Sequence, residues 1–205
     1  MQTEITDLLA YWIGPPDIDP AALKPFHDRW YAYSPATDDE IRRRFGSALV
    51  AAEAGELDHW QQTPGGSLAL VILFDQFTRN LHRGSAEAWR NDSKALEIAL
   101  DMLDRGDDRQ LAIPGRIMLL HPLLHAEDTA AHRRLVVELE QLLKDAPAAW
   151  HEMINAHLKF ARNHGSLIER FGRFPHRNQT LGRESTAEEQ AFLAGDSRSY
   201  GQGEA

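Results

Sequence analysis

The chain has 205 residues, 42 % apolar and 26 % charged, with a formal net charge of -9 and no cysteine. This composition supports a buried core and excludes a disordered chain. The acidity opposes binding to nucleic acid and to anionic membranes, and the missing thiols exclude disulfides, a thiolate nucleophile and cysteine-based metal sites. No apolar run approaches the roughly 18 residues of a membrane span, and the opening MQTEITDLLAYW has no signal-peptide core. A soluble cytoplasmic protein is the expectation.

Residues 3–13 read as a short amphipathic helix stopped by Gly14, Pro15 and Pro16. Asp19 and Pro20 suit the cap and first position of a second helix carrying Leu23, Phe26, Trp30 and Tyr33, with Pro35 ending it. Thr37 to Glu40 reads as a capping box for a helix presenting Ile41, Phe45, Leu49 and Ala52 and stopping at Gly55. PGGS, residues 64–67, opens LALVILFDQFTRN, apolar nearly all round and therefore central. Residues 85–105 read as one helix, capped by Ser85 or Ser93 and ended by Gly106. A helix over 115–125 contains Pro122, which predicts a kink. Residues 129–144 form another helix, and Pro147 begins one that runs to about 170. Ser185 or Thr186, with Glu188 or Glu189, caps the last short helix. The pattern predicts an all-α protein of about nine helices in antiparallel pairs, one domain over residues 1–195, and a frayed tail over 196–205.

Two phrases carry the polar chemistry. FDQFTRN, residues 74–80, and FGRFPHRN, residues 171–178, each pair phenylalanines three apart and end in Arg-Asn. In the first, Asp75 and Arg79 are four apart and predicted to pair; Gln76 and Asn80 share a neighbouring stripe, and Arg83 extends the Arg79 row if the helix persists. In the second, Pro175 predicts an ordered loop. Arg162, Arg170, Arg173, Arg177 and Arg183 stand there against one acid, Glu169. Guanidinium forks match carboxylate and phosphate, and His164 and His176 add proton carriers. The arginines either clasp acids such as Glu127 and Asp75 or line a pocket for an anion. A third cluster, LLHPLLHAED over 119–128, sets His121 and His125 four apart with Glu127 beyond. It lacks the His-Glu-x-x-His zinc pattern and predicts no metal site. Glu127 beside His164 is a candidate acid-base pair.

LALVILFDQFTRNLHRG, HPLLHAED and the FGRFPHRN phrase leading to LGRESTAEEQAFL resemble an uncharacterised, mostly bacterial family. The resemblance runs from Tyr11 to Leu193. It implies a tetratricopeptide-like α-α superhelix with degenerate repeats, and no reaction or cofactor. The family pattern uses Asp75, Gln76, Arg79, Asn80 and Arg83, then His125 and Glu127. Its last part uses His164, residues 171–178, Leu181, Gly182, Arg183, Ser185 and Thr186. Where the family more often writes His-Ser-Glu, this chain has Ala126, without the hydroxyl.

The function these residues predict is binding of a peptide or small anionic ligand, with no cofactor, metal, nucleic acid or membrane. The candidate residues are Asp75, Gln76, Arg79, Asn80, Arg83, His125, Glu127, His164, Arg173, His176, Arg177, Asn178 and Arg183. The alternative is an enzyme acting on a small anionic substrate by His/Glu acid-base chemistry.

Overall fold

The computed structural model describes residues 2–195, and the 196–205 tail lies outside that range. Every regular element among the described residues is helical. In chain order these are α1 (Gln2–Ile13), α2 (Lys24–Tyr31), α3 (Pro35–Glu53), α4 (Pro64–Val71), a π-helical stretch (Ile72–Phe77) that runs directly into α5 (Thr78–Leu81), α6 (Asp92–Arg105), α7 (Ile113–Leu119), α8 (His121–His125), α9 (Thr129–Asp145), α10 (His151–Phe171) and α11 (Ala187–Ala194). Short 3-10 turns join several of them.

The run from α4 through the π stretch to α5 is the central element, as its all-round apolar character predicts. Leu68 to Leu73 are buried without exception, and α1, α3, α6 and α7 pack around the run. Phe77 meets Trp12 edge-on at 5.0 Å and stacks on Phe45 at 5.2 Å, tying α1 and α3 to the centre. Such ring pairs contribute about 0.5–1.5 kcal/mol each beyond their burial. Thr63 caps α4 by accepting from the Gly66 N–H at 3.1 Å. Gly66 is there because the chain passes too close for a side chain: a Cβ would lie 2.1 Å from the Trp60 carbonyl oxygen. Helices α9 and α10 form an antiparallel pair, with Gly165 opposite His132 and Arg162 bonded to Glu140. Gly172, at φ +68, ends α10 in the left-handed conformation that favours glycine. Leu167, Ile168 and Phe174 form a satellite cluster beneath α11 and Phe192.

Four local expectations need correction. Asp19 caps only a 3-10 turn, Pro20–Ala22, because Pro25 restarts the chain as α2, leaving Tyr33 outside the helix. Pro35 opens α3 instead of ending its predecessor: Ser34 is the cap, accepting from Thr37 N–H, and Asp38 is buried inside the helix. The predicted 85–105 helix is interrupted at Asn91, just before α6, and the Asn91 side-chain amide donates to Glu53 at 2.6 Å and Thr78 at 3.0 Å. Pro122 produces a full break at Leu120, separating α7 from α8. The capping box of Thr186 and Glu189 on α11 forms as predicted.

Candidate functional site: an arginine- and histidine-lined cavity

The two Arg-Asn phrases converge. Arg79 Nη2 donates to Asp92 Oδ2 at 2.9 Å, and Arg177 Nη1 lies 3.8 Å from the same oxygen. Both arginines line one cavity of about 440 Å³, bounded by α2, the π stretch, α5, α8, α10 and the 3-10 turn Pro175–Arg177. Gln76, Asn80, Arg83, His125, His164 and His176 line it too, as do His27, His121 and His157. Six of the chain's ten histidines therefore face this space. Trp30, Tyr31, Trp89, Phe160 and Phe174 supply its apolar wall. No aspartate or glutamate is among the described lining residues, although the chain holds 31 acids.

The carboxylates stand behind the wall. Asp75 is 0 % exposed and accepts from Arg79 Nη1 at 3.0 Å, His125 Nδ1 at 2.7 Å and Gln76 Nε2 at 2.5 Å. These donors, Arg79 first among the favourable influences, outweigh burial and hold its pKa well below the usual carboxylate range. Arg79 also donates to the Asp75 carbonyl at 2.5 Å. The π stretch places Asp75 and Gln76: the Thr78 N–H reaches back five residues to the Leu73 carbonyl, so this turn is wider than an α turn. Turns of this kind recur at functional sites. Burial, reinforced by Asp75, pushes Asp92 up to about 6 despite its arginine neighbours.

His125 is fixed by that carboxylate. An ionised carboxylate only accepts, so Nδ1 carries the proton and Nε2 keeps a lone pair. Nε2 makes no hydrogen bond to a described residue, and His125 lines the cavity. Burial, with Arg79 nearby, pushes the ring's pKa down to about 3, so it is unprotonated at neutral pH. His121, His157 and His164 are oriented by helix geometry: each Nδ1 lies 2.9–3.1 Å from the carbonyl four residues back, on Ile117, Met153 and Phe160. The Tyr31 hydroxyl bridges Nε2 of His121 at 3.1 Å and Nε2 of His157 at 3.0 Å. With both Nδ1 atoms protonated, both Nε2 atoms are acceptors and Tyr31 has one proton to give.

Most of the predicted arginines are closed by protein carboxylates. Arg83 binds Asp38 at 2.7 and 3.2 Å, and Asn80 donates to the same carboxylate at 2.7 Å. Arg162 pairs with Glu140, Arg170 with Glu188, and Arg173 with Glu189. Arg183 grips Glu127 at 2.6 and 2.9 Å, and Glu127 also accepts from the Phe174 N–H at 2.8 Å. Asn178 joins that clasp through Arg183 Nε and Ser185 Oγ. Glu127, Arg173, Asn178 and Arg183 thus build the loop and do not line the cavity. The suggested pairing of Glu127 with His164 is not made: the carboxylate partner of a cavity histidine is Asp75, on His125. Arg177 differs from the other four arginines of its segment. It is 7 % exposed, and among the described residues its Nε has no partner and its nearest carboxylate is the one at 3.8 Å. Its guanidinium rests over Phe174 at 4.6 Å and Trp89 at 5.4 Å. Desolvation, then Arg79, pushes its pKa down to about 10.

Sequence reasoning missed Tyr31, His157, Trp89 and Asp92 as site residues. His157 and His164 lie seven apart on α10, two helical turns along one face, which was a readable signal. Tyr31 and Asp92 carried none, since each reaches its partner across a long stretch of chain.

Fold and site together define an all-α protein enclosing a cationic, histidine-rich cavity. The chain belongs to a family of bacterial proteins of unknown function, DUF924, whose model matches residues 8–197. It is similar to the solved structure of a protein of unknown function, ATU0120, from Agrobacterium tumefaciens, with 33 % identity and a TM-score of 0.77 over 95 % of this chain and 99 % of that one. No curated protein matches it. No helix among the described residues is long and apolar enough to cross a membrane.

Proposed function

We propose that this protein binds a small organic anion, a carboxylate or phosphate ester with an apolar or aromatic body, in the cavity lined by Arg79, Arg177 and the histidines. A peptide presenting its terminal carboxylate is one form of that ligand. Arg177 carries the reading. A buried guanidinium that is weakly paired is costly unless a counter-charge arrives, and this one lies 3.8 Å from its carboxylate and lines a cavity with no acid among its described lining residues. The volume suits a small ligand, and the rings of Trp89, Phe160 and Phe174 suit its apolar part. A cysteine-free chain fits a cytoplasmic location.

Phenyl phosphate and benzoate are suitable probes. A bound probe at roughly 100 times its Kd stabilises the fold by about 2.7 kcal/mol, which is a rise in Tm of about 5–10 °C for a chain of this length. Arg177→Met should abolish the rise while leaving the protein folded. No rise with either probe, or an equal rise in the variant, refutes the reading.

A further inference from the structure

We propose that His125 is a phosphoryl acceptor, its Nε2 attacking the phosphorus of a phosphomonoester anchored by Arg177, with Asp75 stabilising the phosphohistidine that forms. This inference rests on the anion-binding reading and selects the phosphate ester among its ligands.

His125 and Arg177 line the same cavity. Among the described residues the wall offers no serine, threonine, cysteine or lysine. The cavity histidine whose tautomer is fixed by a carboxylate, leaving its Nε2 lone pair free, is His125. Its orienting hydrogen bond to Asp75 Oδ1 is short, at 2.7 Å, and the same oxygen receives Arg79. A ring held only for packing needs no buried carboxylate behind it and no open nitrogen in front. Burying an aspartate completely is expensive, and here it occurs on a π stretch that departs from regular helix. Burial keeps Nε2 unprotonated across the neutral range, and a wall free of acids favours a dianion over a monoanion.

The step balances. The Nε2 lone pair forms the N–P bond as the P–O bond to the alcohol breaks. The alcohol oxygen leaves with the bonding pair and takes a proton from solvent. Both ring nitrogens are then substituted, so the ring becomes a cation, and its Nδ1–H bond to Asp75 becomes an ion pair. The carboxylate therefore interacts more strongly after attack than before it, which is the condition for lowering the barrier.

Phosphoramidate tests this directly, because its nitrogen is already protonated and departs as ammonia. The intact chain, incubated with it, should gain the mass of one phosphoryl group. The adduct should be acid-labile and alkali-stable, map to His125, and be competed by phenyl phosphate. His125→Asn should lose the label while still binding phenyl phosphate. Asp75→Asn should slow labelling by roughly 100-fold or more, the order seen when an orienting carboxylate is neutralised. If that variant does not fold, Arg177→Met serves, with labelling at His125 reduced at least about 10-fold. Binding of phenyl phosphate without labelling, or labelling that survives His125→Asn, overturns the acceptor role and spares the binding site. Absence of phenyl phosphate binding together with absence of label overturns both.

Discussion

Replacing Arg177 by methionine should stabilise the unliganded protein, whereas the same change at Arg183 should destabilise it. Both residues are arginines of one loop, so composition does not separate them; their surroundings do. Burial and Arg79 push the Arg177 pKa down to about 10, a disfavouring of its charged form worth about 3 kcal/mol. Methionine keeps most of the contact with Phe174 and Trp89, and Asp92 keeps its 2.9 Å bond to Arg79. Allowing about 1–2 kcal/mol for imperfect packing and the lost ring and Asp92 attraction, the net gain is about 1–2 kcal/mol, or roughly 2–8 °C in Tm. Arg183 makes four hydrogen bonds, two to Glu127 and one each to Asn178 and the Phe174 carbonyl. Both members of its ion pair are 24 % exposed, so water repays part of the loss. About 2 kcal/mol remains, a fall of roughly 4–8 °C. Thermal unfolding of the three proteins at pH 7.5 without added anion reads the difference. If Arg177→Met melts as early as Arg183→Met, Arg177 belongs to the clasp, and the case for a ligand collapses with it.

Two further outcomes test the fold around the site. Gly66→Ala would drive a Cβ into the Trp60 carbonyl and should cost about 3 kcal/mol or more, read as a lowered urea midpoint; a wild-type midpoint would mean that α4 does not pass so close to the turn before it. Acid should also weaken the protein. Burial lowers the pKa values of His82, His121, His125, His132 and His157 below the ordinary 6.5, with His157 at about 4. The unfolded chain therefore binds more protons between those values, so stability is full above about pH 6.5 and falls toward pH 4. Asp92, raised to about 6, acts in the opposite sense, losing stabilisation as pH rises through 6. Five groups oppose one, and each net proton taken up on unfolding costs about 1.4 kcal/mol per pH unit. Urea midpoints at pH 8, 6 and 4.5 should decline in that order, and a flat series would contradict the burial of the rings.

The readable parts of this molecule are those encoded at short range. The central run LALVILFDQFTRN, the pairing of Asp75 with Arg79 four residues on, the capping box of Thr186 with Glu189 and the stop at Gly106 all follow from helical period and cap chemistry. The likeness of the two Arg-Asn phrases also pointed correctly to residues that share a cavity. What escaped depends on meetings between distant segments. Nothing local to His125 says that its partner is Asp75, fifty residues earlier. The contrast between Arg177 and the other four arginines is equally silent in sequence. It appears only when Glu140, Glu188, Glu189 and Glu127 are seen to be already occupied. Pro25 and Pro122 divide apparently continuous helices because proline lacks the donor that the ladder needs, and at Asn91 the chain turns where its side-chain amide is anchored to Glu53 and Thr78.

The hydroxyl of Tyr31 stands between two identical acceptors and can satisfy one. Its hydrogen points toward α8 or toward α10, and reversing that choice changes the polarity of the whole bridge without moving a heavy atom. The wall of the cavity thus has two orientations of one dipole, and a visiting charge near either imidazole selects between them. A single extra hydrogen on one ring removes the ambiguity and joins α2, α8 and α10 by two complete bonds.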